Sequence, residues 1–129
     1  MNSVTGDCLM TADPFTERLT RVRARFALTL AGKIDESCAA IPHLADAEPA
    51  APAAVAEVYR CVHGIVGVGP TVGFPGSGSA AHDVEDRLRL AQQERRGLTA
   101  TEIELLTKSL QVLREIAARE LQSFRSFPS

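Results

Sequence analysis

The chain has no tryptophan and a single tyrosine, and aromatic residues make up only 5% of its 129 residues. A core with so few rings must be built from Leu, Val, Ile and Ala, as in a helical bundle. Cysteine is scarce too. Cys8, Cys38 and Cys61 are widely spaced, odd in number, and form no C-x-x-C pair. This argues against a disulfide framework and for free thiols in a reducing cytoplasm. No stretch approaches about 18 consecutive apolar residues, so no membrane span is expected. No basic segment followed by an apolar run opens the chain, so no signal peptide is expected. Neither sign of charge prevails: the formal net charge is −2. Nucleic-acid binding, which needs a clustered basic surface, is therefore not expected. No pair of histidines or cysteines has metal-ligand spacing, and no G-x-x-x-x-G-K-[ST] phosphate loop occurs. Nothing sets a base and an acid around Cys61 or a serine in a recognisable order. The expectation is a chain without metal, cofactor, ATP site or stand-alone catalysis.

Apolar residues make up 45% of the chain, enough for one domain with a modest core. Residues 1–12 carry no periodic pattern and read as a short flexible tail. Asp13-Pro14 then has the form of a helix start, with Asp as cap and Pro in the first turn. Phe15, Leu19, Val22, Phe26, Leu30, Ile34, Cys38 and Ile41 follow at spacings of three and four, one apolar face held for many turns. Pro42 ends this helix, and D-A-E-P-A-A-P-A from Asp46 forms a connection. A second helix is expected from near Ala53, with Val55, Val58, Val62, Ile65, Gly69 and Val72 buried and Pro70 kinking or ending it. After F-P-G-S-G-S, Ser77 or Ser79 can cap a third helix with Ala81, Val84, Leu88 and Ala91 inward, stopped by Gly97. Thr99 and Glu102 have capping-box spacing. They open a fourth helix with Ile103, Leu106, Leu110, Leu113, Ala117, Leu121 and Phe124 inward. The fold expected is all-α, an antiparallel four-helix bundle over residues 13–125.

Within the second helix, His63 to Gly73 reads H-G-I-V-G-V-G-P-T-V-G. Each glycine in a helix costs roughly 1 kcal/mol relative to alanine. With the helix advancing about 100° per residue, the buried stripe centres near −30° from Val62 and His63 lies near +100°, roughly 130° from the core direction. His63 is thus expected on the solvent side, sharing its face with Ala56, Arg60, Gly67 and Pro70. An exposed imidazole is a competent nucleophile near neutral pH. It can take a phosphoryl group on a ring nitrogen and hand it on, because phosphoryl transfer depends chiefly on alignment and electrostatics. His82, beside Asp83, Glu85 and Asp86, reads as a solvated helix-start residue, and His43 as loop surface.

These residues resemble the histidine-containing phosphotransfer (HPt) family. Its pattern of His, an aliphatic residue two later, Gly four later and Gly ten later falls on His63, Ile65, Gly67 and Gly73. Ala80-Ala81-His82-Asp83-Val84-Glu85 and then Leu88 are similar to its next helix, and Phe15 to Ile41 to its long first helix. The resemblance implies a cytoplasmic phosphorelay intermediate of two-component signalling, expected to be a monomer. His63 would accept a phosphoryl group from a receiver-domain aspartate, in a pathway fed by a hybrid histidine kinase, and pass it to another receiver. The receivers would supply magnesium and dock around the histidine. Gly64 and Gly67 would give access, and Arg60 would contact phosphoryl oxygens or an acidic patch on the partner. Many members carry Lys three residues after the histidine, whereas this chain has Val66. That departure sustains an alternative, a helical adaptor of the same fold that binds a signalling partner without carrying phosphate.

Overall fold

The computed structural model describes residues 13–126, and the expectations for residues 1–12, Cys8 among them, lie outside the described residues. Four helices follow one another: α1 (Pro14–Ala40), α2 (Ala51–Val68), α3 (Pro75–Glu94) and α4 (Ala100–Ser126). Short 3-10 turns cover Ile41–His43 and Gly69–Val72. No strand occurs among the described residues; an isolated bridge joins Ala45 to Leu98. The fold is the expected all-α bundle, and its neighbours run antiparallel. Arg23 lies over the Phe124 ring at 5.2 Å, while Asp35, further along α1, meets Arg114 at 2.9 Å, earlier on α4. Likewise Gly76 on α3 pairs with Glu120, and Arg87 with Ser109. Among the described residues no helix is long and apolar enough to cross a membrane.

Local chemistry explains the boundaries. The Asp13 carboxylate accepts the Thr16 N–H at 2.7 Å, and this bond holds its pKa below the ordinary value. Pro42 brings no N–H to continue α1, which tightens into the 3-10 turn. At α4 the capping box closes both ways. Thr99 N–H donates to Glu102 at 2.9 Å, and Glu102 N–H donates to the Thr99 hydroxyl at 3.1 Å. Leu30, Val55, Val62, Ile65, Val84, Leu88, Leu106 and Leu113 fill the centre, which confirms most of the expected stripes.

Four expectations need correction. α2 begins at Ala51, with Pro52 in its first turn, because proline tolerates that position. Ser77 and Ser79 do not cap α3, which starts at Pro75, after Gly73 turns the chain at φ 94°. The cap comes instead from α4: Glu120 accepts the Gly76 and Ser77 N–H groups, each at 2.8 Å, and the Ser77 hydroxyl at 2.7 Å. Arg95, at φ 53°, takes the left-handed position that ends α3, ahead of Gly97. Finally, the α1 stripe is not buried throughout. Phe15 is 69% exposed and Val22 is exposed too, whereas Phe26, Leu30 and Ile34 are buried. Beside its first turns the α2 end offers Gly67, Val68 and Thr71, too little side chain to cover them.

Candidate functional site

α2 carries His63 two residues before the buried Ile65 and one after the buried Val62, so the imidazole leaves the helix away from the core. Its side chain is 68% exposed, as the helical phase predicts. What the phase does not foretell is its partner. Glu85 comes from α3 with a side chain only 5% exposed, and one of its carboxylate oxygens hydrogen-bonds His63 Nδ1. The other oxygen faces Arg89 at 3.5 Å, one turn later on α3. Arg89 also pairs with Asp86. Hydrogen bonds to Asp86 and then to Tyr59 hold the Arg89 guanidinium above its ordinary pKa. Tyr59, one turn before His63, stacks on the imidazole with ring centres 6.1 Å apart and planes 12° apart.

This arrangement selects a tautomer. A carboxylate is an acceptor, so Nδ1 carries the hydrogen and Nε2 keeps its lone pair. Among the described residues no group hydrogen-bonds Nε2. The ring is therefore held on one edge by a buried carboxylate, steadied on one face by a phenol, and open at the nitrogen that points outward. Burying a carboxylate is costly unless its oxygens are satisfied. Here His63 and Arg89 satisfy one oxygen each.

The glycines belong to the same surface. A methyl group placed at position 64 or 67 would meet nothing within 4 Å, so neither glycine is required by helix packing. Gly32 on α1 shares that openness; the difference at 64 and 67 is their place beside an exposed histidine. Gly73 sits at the turn into α3, away from the imidazole. Arg60 pairs with Glu57 at 2.8 Å, both side chains exposed, and makes no contact with His63. Val66 is half-buried and packs on the core, so an apolar side chain suits that position. His82 meets Asp86 at 3.6 Å and forms with Asp83 an exposed cluster of donors.

Tyr59, Glu85 and Arg89 are the residues that reasoning from sequence passed over. Glu85 had a signal: it lies in register with Ala81, Val84 and Leu88, and a carboxylate on a buried stripe needs a partner. The chain matches no family model, and no curated protein and no solved structure matches it.

Proposed function

We propose that this protein is a phosphocarrier in which His63 Nε2 accepts a phosphoryl group from an aspartyl phosphate on a receiver domain and yields it to another. The observation that carries the reading is the exposed imidazole held through Nδ1 by the buried Glu85 carboxylate. In the step, the Nε2 lone pair attacks phosphorus and an N–P bond forms. The bond from phosphorus to the donor carboxylate oxygen breaks, and its electron pair leaves with that carboxylate. The Nδ1–H group keeps donating to the Glu85 carboxylate, which offsets the positive charge that develops on the ring. Tyr59 limits rotation of the ring, and Arg89 keeps Glu85 aimed. Gly64 and Gly67 let a macromolecular donor approach, and Arg60 stands on the same helix as a cation for phosphoryl oxygens or for the partner's acidic patch. The HPt resemblance favours the same reading.

The experiment is transfer of labelled phosphate from phosphorylated receiver domains of the same organism to the wild-type protein and to His63→Gln. Acid-labile, base-stable label on the wild type alone is expected. Binding of a receiver without label on either protein would overturn the carrier reading in favour of the adaptor.

A further inference from the structure

His63 stands in open space. Its side chain is 68% exposed, and a methyl group at position 64 or 67 would meet nothing within 4 Å. Val66 turns the other way, half-buried against the core. Nε2 is therefore within reach of a small molecule as well as of a protein domain. The other two histidines are held differently. His82 Nδ1 faces the exposed Asp86 at 3.6 Å, and His43 ends a 3-10 turn beside a separate hollow. Among the described residues, His63 alone has Nδ1 tied to a buried carboxylate, the arrangement that keeps the opposite nitrogen unprotonated and nucleophilic.

Charge decides which small molecule suits this nitrogen. Two contacts set α2 against α3: His63 meets Glu85, and a methyl group at position 78 would strike Pro70. His82 falls between them on α3, level with Val66 and Gly67. Its ring, Asp83 and Asp86 gather their donor atoms within 4.8 Å of one another. Carboxylates thus border the imidazole along α3. The arginines of α2 and α3 are all engaged: Arg60 with Glu57, Arg87 with Ser109, and Arg89 with both Glu85 and Asp86. Arg25 and Lys33 belong to α1 and stand across a hollow from Gly64. A phosphoryl group arriving along α3 therefore meets more negative than positive charge.

We infer that His63 also takes a phosphoryl group directly from small N-phosphoryl donors of the phosphoramidate class, with no partner protein. The inference rests on the phosphocarrier reading for its nucleophile. At neutral pH phosphoramidate carries a protonated nitrogen, which cancels part of the charge on its phosphoryl oxygens. An acyl phosphate has no such internal cation and brings a charge close to that of a phosphorylated side chain, about −1.5 to −2. A site bordered by carboxylates favours the first over the second when no divalent cation is added. In the step, the Nε2 lone pair attacks phosphorus and an N–P bond forms. The bond from phosphorus to the donor nitrogen breaks, and its electron pair leaves with that nitrogen as ammonia. The Nδ1–H of the phosphorylated ring keeps donating to Glu85, so no proton has to be moved.

The test incubates the protein with phosphoramidate and, separately, with acetyl phosphate, without divalent cation. Intact mass follows loading, and peptide mapping locates the acid-labile group. Phosphoramidate should load His63 roughly tenfold faster than His43, His82 or free N-acetylhistidine at equal concentration. Acetyl phosphate should load it far more slowly. His43→Gln should load as wild type, and Glu85→Gln roughly tenfold more slowly. Asp83→Lys should raise the acetyl phosphate rate severalfold and leave the phosphoramidate rate nearly unchanged, with helicity checked for each variant. Equal loading of the three histidines, a rate no greater than that of N-acetylhistidine, or equal rates with both donors would overturn the inference. Loading from phosphoramidate with none from any receiver domain would uphold it and remove the carrier reading. Loading from receiver domains alone would do the reverse.

Discussion

His63 and Glu85 illustrate how an exposed residue can be tied to the interior. Position alone makes the histidine dispensable to folding, because exposed side chains away from special features are usually worth within about 0.5 kcal/mol. Its Nδ1, however, satisfies an oxygen of a side chain only 5% exposed. His63→Asn keeps a donor near the Nδ1 position and should unfold in urea within about 0.5 kcal/mol of wild type. His63→Ala leaves that oxygen without its donor and should cost about 1–2 kcal/mol. Equal stability of the two variants would mean that the carboxylate draws nothing from the imidazole. The direction of His63 was legible in sequence because helical phase is set by the apolar stripe. Its partner was not, because contacts between helices depend on which faces meet, and Glu85 is separated from it by the 3-10 turn Gly69–Val72 and the turn at Gly73.

At the scale of the element, α2 includes residues poorly suited to a helix. It carries Gly64 and Gly67 within its last turns, where no neighbour occupies the space a side chain would take. Gly64→Ala and Gly67→Ala should each raise stability by about 0.5–1 kcal/mol, read as a higher urea midpoint at unchanged slope. A loss of stability instead would show that the glycines serve packing. Helix existence and inward faces were readable from spacing throughout the bundle, as Val55 to Ile65 on α2 and Val72 in the turn that follows it illustrate. The ends were less so. Ser77 has the side chain of a cap, yet Glu120 arrives from a helix distant in sequence and takes that role. The same limit applies to Phe15 and Val22, whose period places them on the apolar face while their neighbours are too small to bury them.

Across the whole molecule, contacts between chain segments that are far apart in sequence close the bundle. At one end Leu98 N–H donates to Leu44 O at 2.7 Å and Asp46 N–H to Leu98 O at 2.9 Å, which ties the first connection to the last. Nearby, Arg96 donates to both Glu102 oxygens, at 2.8 and 3.0 Å. The Arg96 hydrogen bonds hold Glu102 at about 2, below its ordinary 4.5. A pKa depressed by folding stabilises the native state above the ordinary value, and that contribution is lost as pH falls through the folded one. The stability gap between wild type and Glu102→Gln should therefore be fullest above pH 4.5 and shrink toward pH 2, as measured by urea unfolding across that range. A gap that stays constant with pH would mean that the carboxylate charge is not what Arg96 and the cap draw on.

The bare crest of α2 also bears on how this chain would change under selection. Most proteins sit just above the stability they need, and substitutions that raise it are readily found. Positions 64 and 67 are such places, since alanine fits both without displacing a neighbour. A lineage selected for heat resistance alone would fill them early and narrow the approach to the imidazole as it did so. Tolerance of heat and access for a partner thus compete for the same two residues.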